Sequence, residues 1–392
     1  MTIVASPRTT TIGRGADGVG RVHLVYPHSD QISTPDAIGR ELGKRLEARY
    51  QVVYYNWADR GLIVPEPGDV LIGHPHPHPH SIFRRSLRQS GWRRRLILAP
   101  FLHGDLRQFA FEDPIVRDCD LFLAITGPYW FRTIEDSQCS HWRPKMVHLD
   151  LAIDRGHFPP VKTAFAAPGE RRVVYIGHTG PYKGTTYLAE IAALIPEAEF
   201  AWIGRGPRPI PGLKALGRID FGSQAGKDLV SRFDFLLTVG KADANPTTIL
   251  EAMAWGLIPI CTPTSGYDGI AGIPNVPCDD APAAAGIVRR LLQSDESDLL
   301  RMQSANWQLL EEHYTWDRFA GQVMAAIESD DSPSLLPESL GRRLKLRIYG
   351  FTSPDGRAAS SPPGRLAAKL RRRWGRFRAG RSERRPNEHV VS

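Results

Sequence analysis

The sequence predicts an α/β protein built from two Rossmann-like domains and followed by a basic tail, disordered or helical. Three observations carry this. Short β-rich runs alternate with helix-like segments in two successive series, the signature of parallel sheets covered by helices. The chain has 392 residues, which at roughly 150 per domain suits two domains with extra segments. Hydrophobic residues make up 42% and charged residues 23%, ordinary globular usage that excludes a fibrous or wholly disordered chain.

Residues 1–20 are polar and glycine-rich, and read as a flexible leader. They contain Gly13-x-Gly15-x-x-Gly18, a dinucleotide fingerprint as a string. That fingerprint needs a strand before it and a helix after it, whereas here the strand VHLVYP (Val22 to Pro27) follows. The first domain, residues 21–160, continues with an amphipathic helix from Pro35 to Tyr50 and the runs QVVYYNW, DVLIG, RLILAPF, DLFLAI and KMVHLD. Val161 to Glu170 has weak periodicity and reads as a linker. The second domain, residues 171–315, runs through RVVYIG, a helix at Thr185 to Leu194, EFAWIG, ALGRI, a short helix, FDFLLTV, a helix at Thr247 to Trp255, and LIPICT. Another helix follows around SDLLRMQSANWQLLEEHY, and a last one spans residues 316–330.

Residues 331–392 begin proline- and serine-rich, the composition of a linker that buries little surface. From Gly341 to Ser392 there are fifteen Lys and Arg against three acids, a net +12, so the whole-chain +8 leaves −4 on the preceding residues. The basicity belongs to the tail and says little about what the folded body binds. Leu366, Leu370, Trp374 and Phe377 fall at helical spacing among Lys369, Arg371, Arg372, Arg373, Arg376 and Arg378. A basic amphipathic helix over residues 364–380 suits an anionic membrane surface; a solvated tail and a nucleic-acid contact are the competing readings. No run of about 18 apolar residues and no secretory signal is visible, so a cytoplasmic protein, peripheral at the inner membrane face, is expected.

The four cysteines, Cys119, Cys139, Cys261 and Cys278, are far apart and read as buried thiols. The run His74-Pro75-His76-Pro77-His78-Pro79-His80 invites a metal, but alternate prolines favour an extended conformation that does not gather imidazoles around one ion. No metal or cofactor is expected.

The chemistry concentrates in Lys241 to Ser265. Pro246 precedes a helix opening on Thr247 and Thr248, whose outward N–H groups make a diphosphate seat at the end of a strand. Glu251, just inside that helix, can accept from two ribose hydroxyls. Asp243, on the loop before it, can face the other end of the same ligand.

This pattern, two acids separated by seven residues and then Ala252-Met253-Ala254-Trp255-Gly256-Leu257-Ile258-Pro259, resembles the retaining, nucleotide-sugar-dependent glycosyltransferases of the GT-B fold, family 4, in which the first acid is normally Glu. Other landmarks follow in family order. Tyr175-Ile176-Gly177-His178 through Lys183-Gly184 is similar to the loop whose Arg and Lys neutralise the donor diphosphate, with His178 in the Arg position. Gly204-Arg205 resembles the glycine loop near the base, Leu216 to Ile219 the next strand, and Asp150 to Phe158 the close of the first domain. The segment from Thr315-Trp316 resembles a helix crossing back to that domain. His103 stands where the family has a strand-end histidine on the donor sugar. The family's Gly-Gly loop after the first strand is replaced by His28 to Pro35.

The resemblance implies two domains facing across a cleft and transfer of a hexose from a nucleotide diphosphate sugar to a glycan or lipid-linked acceptor, in polysaccharide biosynthesis. Asp243, His103 and Lys183 would be catalytic. Glu251, Thr247, Thr248, Pro246, Gly177, His178, Gly204, Arg205 and Ile219 would bind the donor. The alternatives are an epimerase or phosphorylase on the same fold, and a non-catalytic nucleotide-sugar, membrane or nucleic-acid binding protein.

Overall fold

The computed structural model describes residues 8–9, 20–27, 34–78, 80–103, 106–337 and 341. The glycine string at 13–18, the His28–Ser33 part of the loop after the first buried strand and the amphipathic segment 364–380 lie outside them. The chain falls into two compact units, residues 1–104 with 115–336, and residues 105–114 with 337–392. Of the second, only residues 106–114, 337 and 341 are described; the sheets and the site below belong to the first.

One sheet has seven strands: β1 (Arg8–Thr9), β2 (Arg21–Tyr26), β3 (Gln51–Asn56), β4 (Val70–Gly73), β5 (Arg94–Pro100), β6 (Leu121–Ile125) and β7 (Met146–Leu149), in the order β1-β3-β2-β4-β5-β6-β7. All neighbours are parallel except β1, which pairs antiparallel with β3 through Arg8↔Tyr54. The expected flexible leader thus contributes a short edge strand. The central strands β4 and β6 are buried at every position, as parallel strands covered on both faces must be, which is why they read as continuous apolar runs.

The second sheet is wholly parallel. It comprises β8 (Arg172–Ile176), β9 (Glu199–Ile203), β10 (Lys214–Gly217), β11 (Phe235–Thr238) and β12 (Ile258–Cys261), in the order β10-β9-β8-β11-β12. Strand order reverses between β8 and β11. Ligands of open α/β sheets bind at the C-terminal strand ends beside such a reversal.

The helices are α1 (Thr34–Leu46), α2 (Ile82–Ser86), α3 (Leu106–Asp118), α4 (Pro128–Arg132), α5 (Thr185–Ala193), α6 (Gln224–Val230), α7 (Thr247–Trp255), α8 (Ala281–Leu292), α9 (Glu296–Glu312) and α10 (Trp316–Glu328). Four of them, α2, α3, α4 and α8, were not expected from the sequence. α3 carries Pro114 in its interior, α2 and α4 have five residues each, and α8 opens on the small residues Ala-Pro-Ala-Ala-Ala-Gly. Helix α10 lies along α1: Arg45 Nε meets Asp317 Oδ1 at 2.6 Å, and Arg49 Nη2 meets Glu328 Oε1 at 2.9 Å.

The linker is docked rather than loose. Val161 and Lys162 donate their N–H groups to the Trp255 carbonyl at 3.0 and 2.9 Å. Lys162 Nζ, 7% exposed, pairs at 2.9 Å with the fully buried Asp234, which also accepts from the Ala166 and Arg172 N–H groups, each at 3.0 Å.

Cys119, Cys139 and Cys261 are buried, but Cys278 is exposed. The first imidazoles of the His-Pro run pack on aromatic rings. His74 stands edge-on to Trp57 and Tyr26, at ring distances of 4.9 and 5.6 Å, and His76 is 5.0 Å from Trp57.

Candidate active site

Two cavities with a common wall open at the C-terminal ends of β8 and β11. The first, about 320 Å³, is lined by Tyr175, Gly177, His178, Lys183, Asp243, Asn245, Pro246, Thr247 and Thr248 from the second sheet's loops, and by Thr34, Ile38, Pro100, Ile125 and Leu151 from the first-sheet side. The second, about 380 Å³, shares Thr34, Ile38, Leu151 and Thr247 and adds Glu251, Arg40, Asp154, His157 and Phe158. A larger open depression of about 710 Å³ lies at the opposite ends of β8 and β9, around Arg172 and Glu199, where sheets of this type do not bind ligands.

Helix α7 begins after Pro246 with no side chain capping it. Its first N–H groups therefore face the cavity wall unsatisfied, with the positive end of the helix dipole behind them. Lys183 Nζ forms an ion pair with Asp243 Oδ2, the side chains being 25% and 18% exposed. Lys183 closes a one-turn 3-10 helix, Pro181–Lys183, held by the Lys241 N–H on the Tyr182 carbonyl at 2.8 Å. Gly184 follows with φ +66°, and a Cβ there would sit 2.0 Å from the Val239 carbonyl oxygen, so only glycine lets the turn close against the β11 loop.

Glu251 is held by burial, which raises its carboxyl to about 7, against a smaller opposing effect from the Thr247 hydroxyl. His178 Nδ1 accepts from the Gly180 N–H at 2.9 Å, and the His178 carbonyl accepts from Tyr175 Oη at 2.7 Å. At the β8 and β9 ends the two glycine loops touch: the Gly177 N–H donates to Ile203 O at 3.0 Å, and a Cβ on Gly204 would meet Gly177 O at 1.9 Å.

The structure brings Asp243, Lys183, Thr247, Thr248, Pro246, Gly177 and His178 to one cavity and Glu251 to the adjoining one. Gly204, exposed Arg205 and half-buried Ile219 line neither. Nor does His103, whose Nε2 lies 2.6 Å from Thr133 Oγ1 and whose ring stands edge-on to Trp130 at 4.9 Å. Because Thr133 Oγ1 donates to Tyr129 O at 2.8 Å, His103 Nε2 is the donor to it. Burial lowers the His103 pKa and favours the neutral ring.

Some site residues carried no sequence signal. Trp130 Nε1 donates to the Asp243 carbonyl at 2.8 Å, and the Gly127 N–H to the Ala244 carbonyl at 2.8 Å. Gly127 and helix α4, which follow β6, thus brace the acid loop beside the second sheet. The α1 residues Thr34, Ile38 and Arg40 form the opposite wall. Their helical pattern was legible, but which cavity they face is set by the packing of α1.

Residues 170–294 match the family described as Glycosyl transferases group 1. No curated protein matches the chain. Among solved structures it is similar to sucrose-phosphate synthase from Thermosynechococcus elongatus: 14% identity, 78% of this chain and 98% of that one covered, TM-score 0.59. It is also similar to the E. coli trehalose-6-phosphate structure bound with UDP-2-fluoro glucose, at 10% identity, 79% and 99% coverage and TM-score 0.57. A third is the catalytic domain of starch synthase IV from Arabidopsis thaliana bound to ADP and acarbose, with 12% identity, 81% and 100% coverage and TM-score 0.55. At such identities the likeness concerns the fold, which is GT-B.

Proposed function

We propose, from the glycosyl transferases group 1 match at residues 170–294 and the GT-B fold around it, that this chain moves a hexose from a nucleotide diphosphate sugar to a hydroxyl of a glycan or lipid-linked acceptor, with retention of configuration. The observation that carries the reading is the Lys183–Asp243 pair beside the uncapped start of α7 in one cavity at the strand-order reversal. The neighbours bound with UDP-2-fluoro glucose and with ADP and acarbose support the ligand class.

In this reading the diphosphate sits on the N–H groups of Thr247 and Thr248, with Lys183 as its cation. As the anomeric bond breaks through an oxocarbenium-like state, negative charge grows on the leaving diphosphate, and these fixed donors stabilise it electrostatically. Asp243 holds Lys183 in place and faces the sugar. Glu251 accepts from the ribose hydroxyls. His103, held by Thr133 through Nε2, stands on the first-domain side of the sugar. His178, its Nδ1 taken by the Gly180 N–H, leaves Nε2 to face the phosphates. Gly204, Arg205 and Ile219 lie on the strand ends toward the base. The acceptor hydroxyl attacks from the face that the phosphate leaves.

The experiment is thermal shift with a panel of nucleoside diphosphates and their sugars. Binding to the folded state raises the melting temperature in the parent, and Glu251→Ala should abolish the rise. An unchanged rise in the variant argues for a different site, and donor binding without transfer or hydrolysis argues for a non-catalytic binding protein.

Residues 364–380 are proposed to hold the enzyme at an anionic membrane, on their sequence pattern alone. Among the described residues no helix is long and apolar enough to cross a membrane. Removing residues 331–392 should abolish sedimentation with anionic liposomes and spare donor hydrolysis; retained sedimentation sinks the proposal.

A further inference from the structure

Trp130, in α4, is 4% exposed, and a buried indole N–H has to find an acceptor. It finds one beside the other sheet. Nε1 donates to the Asp243 carbonyl at 2.8 Å, while the Asp243 N–H donates to the Thr264 carbonyl at 3.0 Å. The peptide groups on either side of the Asp243 α-carbon are thus held from the first sheet and from the second. Trp130 also meets His103, whose ring stands edge-on to it at 4.9 Å and whose Nε2 bonds to Thr133, the residue that closes α4. The same segment docks through its backbone as well: Tyr129 donates its N–H to the Gly266 carbonyl at 3.2 Å, and a Cβ on Gly127 would come within 2.0 Å of that oxygen. Backbone contacts therefore hold α4 against the loops of the second sheet, and the indole reaches the acid itself. One side chain lies between the histidine and the acid that are read as facing the donor sugar from opposite sheets.

We infer that Trp130 is a positioning residue for the transfer reaction: its N–H sets where Asp243 stands relative to His103, and so relative to the reacting carbon of the sugar, without touching substrate. The inference rests on the donor-binding reading above and deepens it. The groups read as holding the diphosphate, the Lys183 turn and the start of α7, belong to loops of the second sheet. Loss of the indole N–H therefore leaves the diphosphate seat in place and slows the bond-breaking step. Fixed charge lowers a barrier only when it already stands where charge develops, and a small misplacement of a catalytic group costs rate more than ground-state affinity.

The test separates the N–H from the ring. Trp130→Phe keeps an aromatic side chain and removes the donor. Benzothienylalanine incorporated at position 130, with sulfur in place of the N–H, removes it at unchanged shape and serves where the phenylalanine variant folds poorly. The probe is the nucleotide sugar that raises the parent's melting temperature most in the panel above, read as donor hydrolysis, with its free nucleoside diphosphate for titration calorimetry. Either replacement should lower kcat about five- to tenfold, the worth of one hydrogen bond, with KM for the donor and Kd for the diphosphate within about twofold of the parent's. Arg132→Ala removes the ion pair between the same helix and Asp268 and should leave kcat near the parent's, because an exposed pair contributes little. An unchanged kcat in the benzothienylalanine protein overturns the inference. So does an equal loss in Arg132→Ala, which would make the effect one of docking α4 and not of placing Asp243. A rise of KM and Kd in step with the loss of kcat, the pattern of general loosening, overturns it as well. No shift in the parent with any member of the panel, or a shift that survives Glu251→Ala, overturns the donor-site reading and this inference with it.

Discussion

At the scale of the residue, the two acids of the donor loop are in different electrostatic situations. Asp243 is neutralised by Lys183. Burial raises the Glu251 carboxyl to about 7 from the ordinary 4.5, against a smaller opposing effect from the Thr247 hydroxyl. Between those values the folded protein keeps a proton that the unfolded chain has lost, so stability falls as pH rises through this window and levels off above it. Glu251→Gln removes the titration. The melting temperature of the parent should therefore drop relative to Glu251→Gln between about pH 4.5 and 7, and parallel melting curves across that range would contradict the assignment. The same ionisation has the opposite sign for ligand binding, because the carboxylate, not the acid, accepts from two ribose hydroxyls. Nucleotide affinity in the parent should rise several-fold from about pH 6 to 8, and stay flat in Glu251→Gln.

At the scale of the element, the site depends on strand ends and on the turns that start helices. Gly184 joins the Lys183 turn to α5 in a left-handed conformation, with its α-carbon face against the Val239 carbonyl. Gly184→Ala meets both a φ penalty of about 1–2 kcal/mol and a backbone oxygen that cannot move without moving the end of β11. The expected result is a lower melting temperature together with weakened nucleotide binding, since Lys183 is the preceding residue. Unchanged affinity would mean that Lys183 is not held by this turn. Helix α7 is anchored behind the site by Trp255, fully buried between Phe158 and Phe221 at ring distances of 5.7 and 4.9 Å. Its apolar burial fixes the axis along which the unsatisfied N–H groups point, and so connects core packing to the diphosphate seat.

At the scale of the whole molecule, the linker, Gly127 and helix α4 tie the two sheets together. Asp234 is the central polar anchor of the linker, gathering Lys162, the Ala166 N–H and the Arg172 N–H at the start of β11. Removing it leaves the buried Lys162 ammonium with only the Ser231 carbonyl, 3.3 Å away, and frees two part-buried N–H donors, a loss that for broken buried pairs reaches about 3–5 kcal/mol. Asp234→Ala should lower the urea midpoint accordingly, far from the active site; a loss below about 1 kcal/mol would mean that water reaches Lys162 and compensates. On the other side, Trp130 and Gly127 hold the backbone of Asp243 and Ala244 from the first sheet, so the geometry of the acid loop is a property of both sheets together.

What the sequence determined by itself is what local physics encodes. The continuous apolar runs of β4, β6, β8 and β11, the proline and threonines that open α7, and the seven-residue interval from Asp243 to Glu251 were legible because strand burial, helix initiation and loop length are set by neighbours along the chain. The tertiary structure alone decided the rest. Lys183 meets Asp243 sixty positions away, Trp130 reaches its carbonyl across 113, and Tyr267 orients Asn245 from 22. Such contacts depend on how sheets stack and where loops close, and no periodicity records them. That is also why His103 was legible as a strand-end histidine, while its bond to Thr133 and its place behind Trp130 were not.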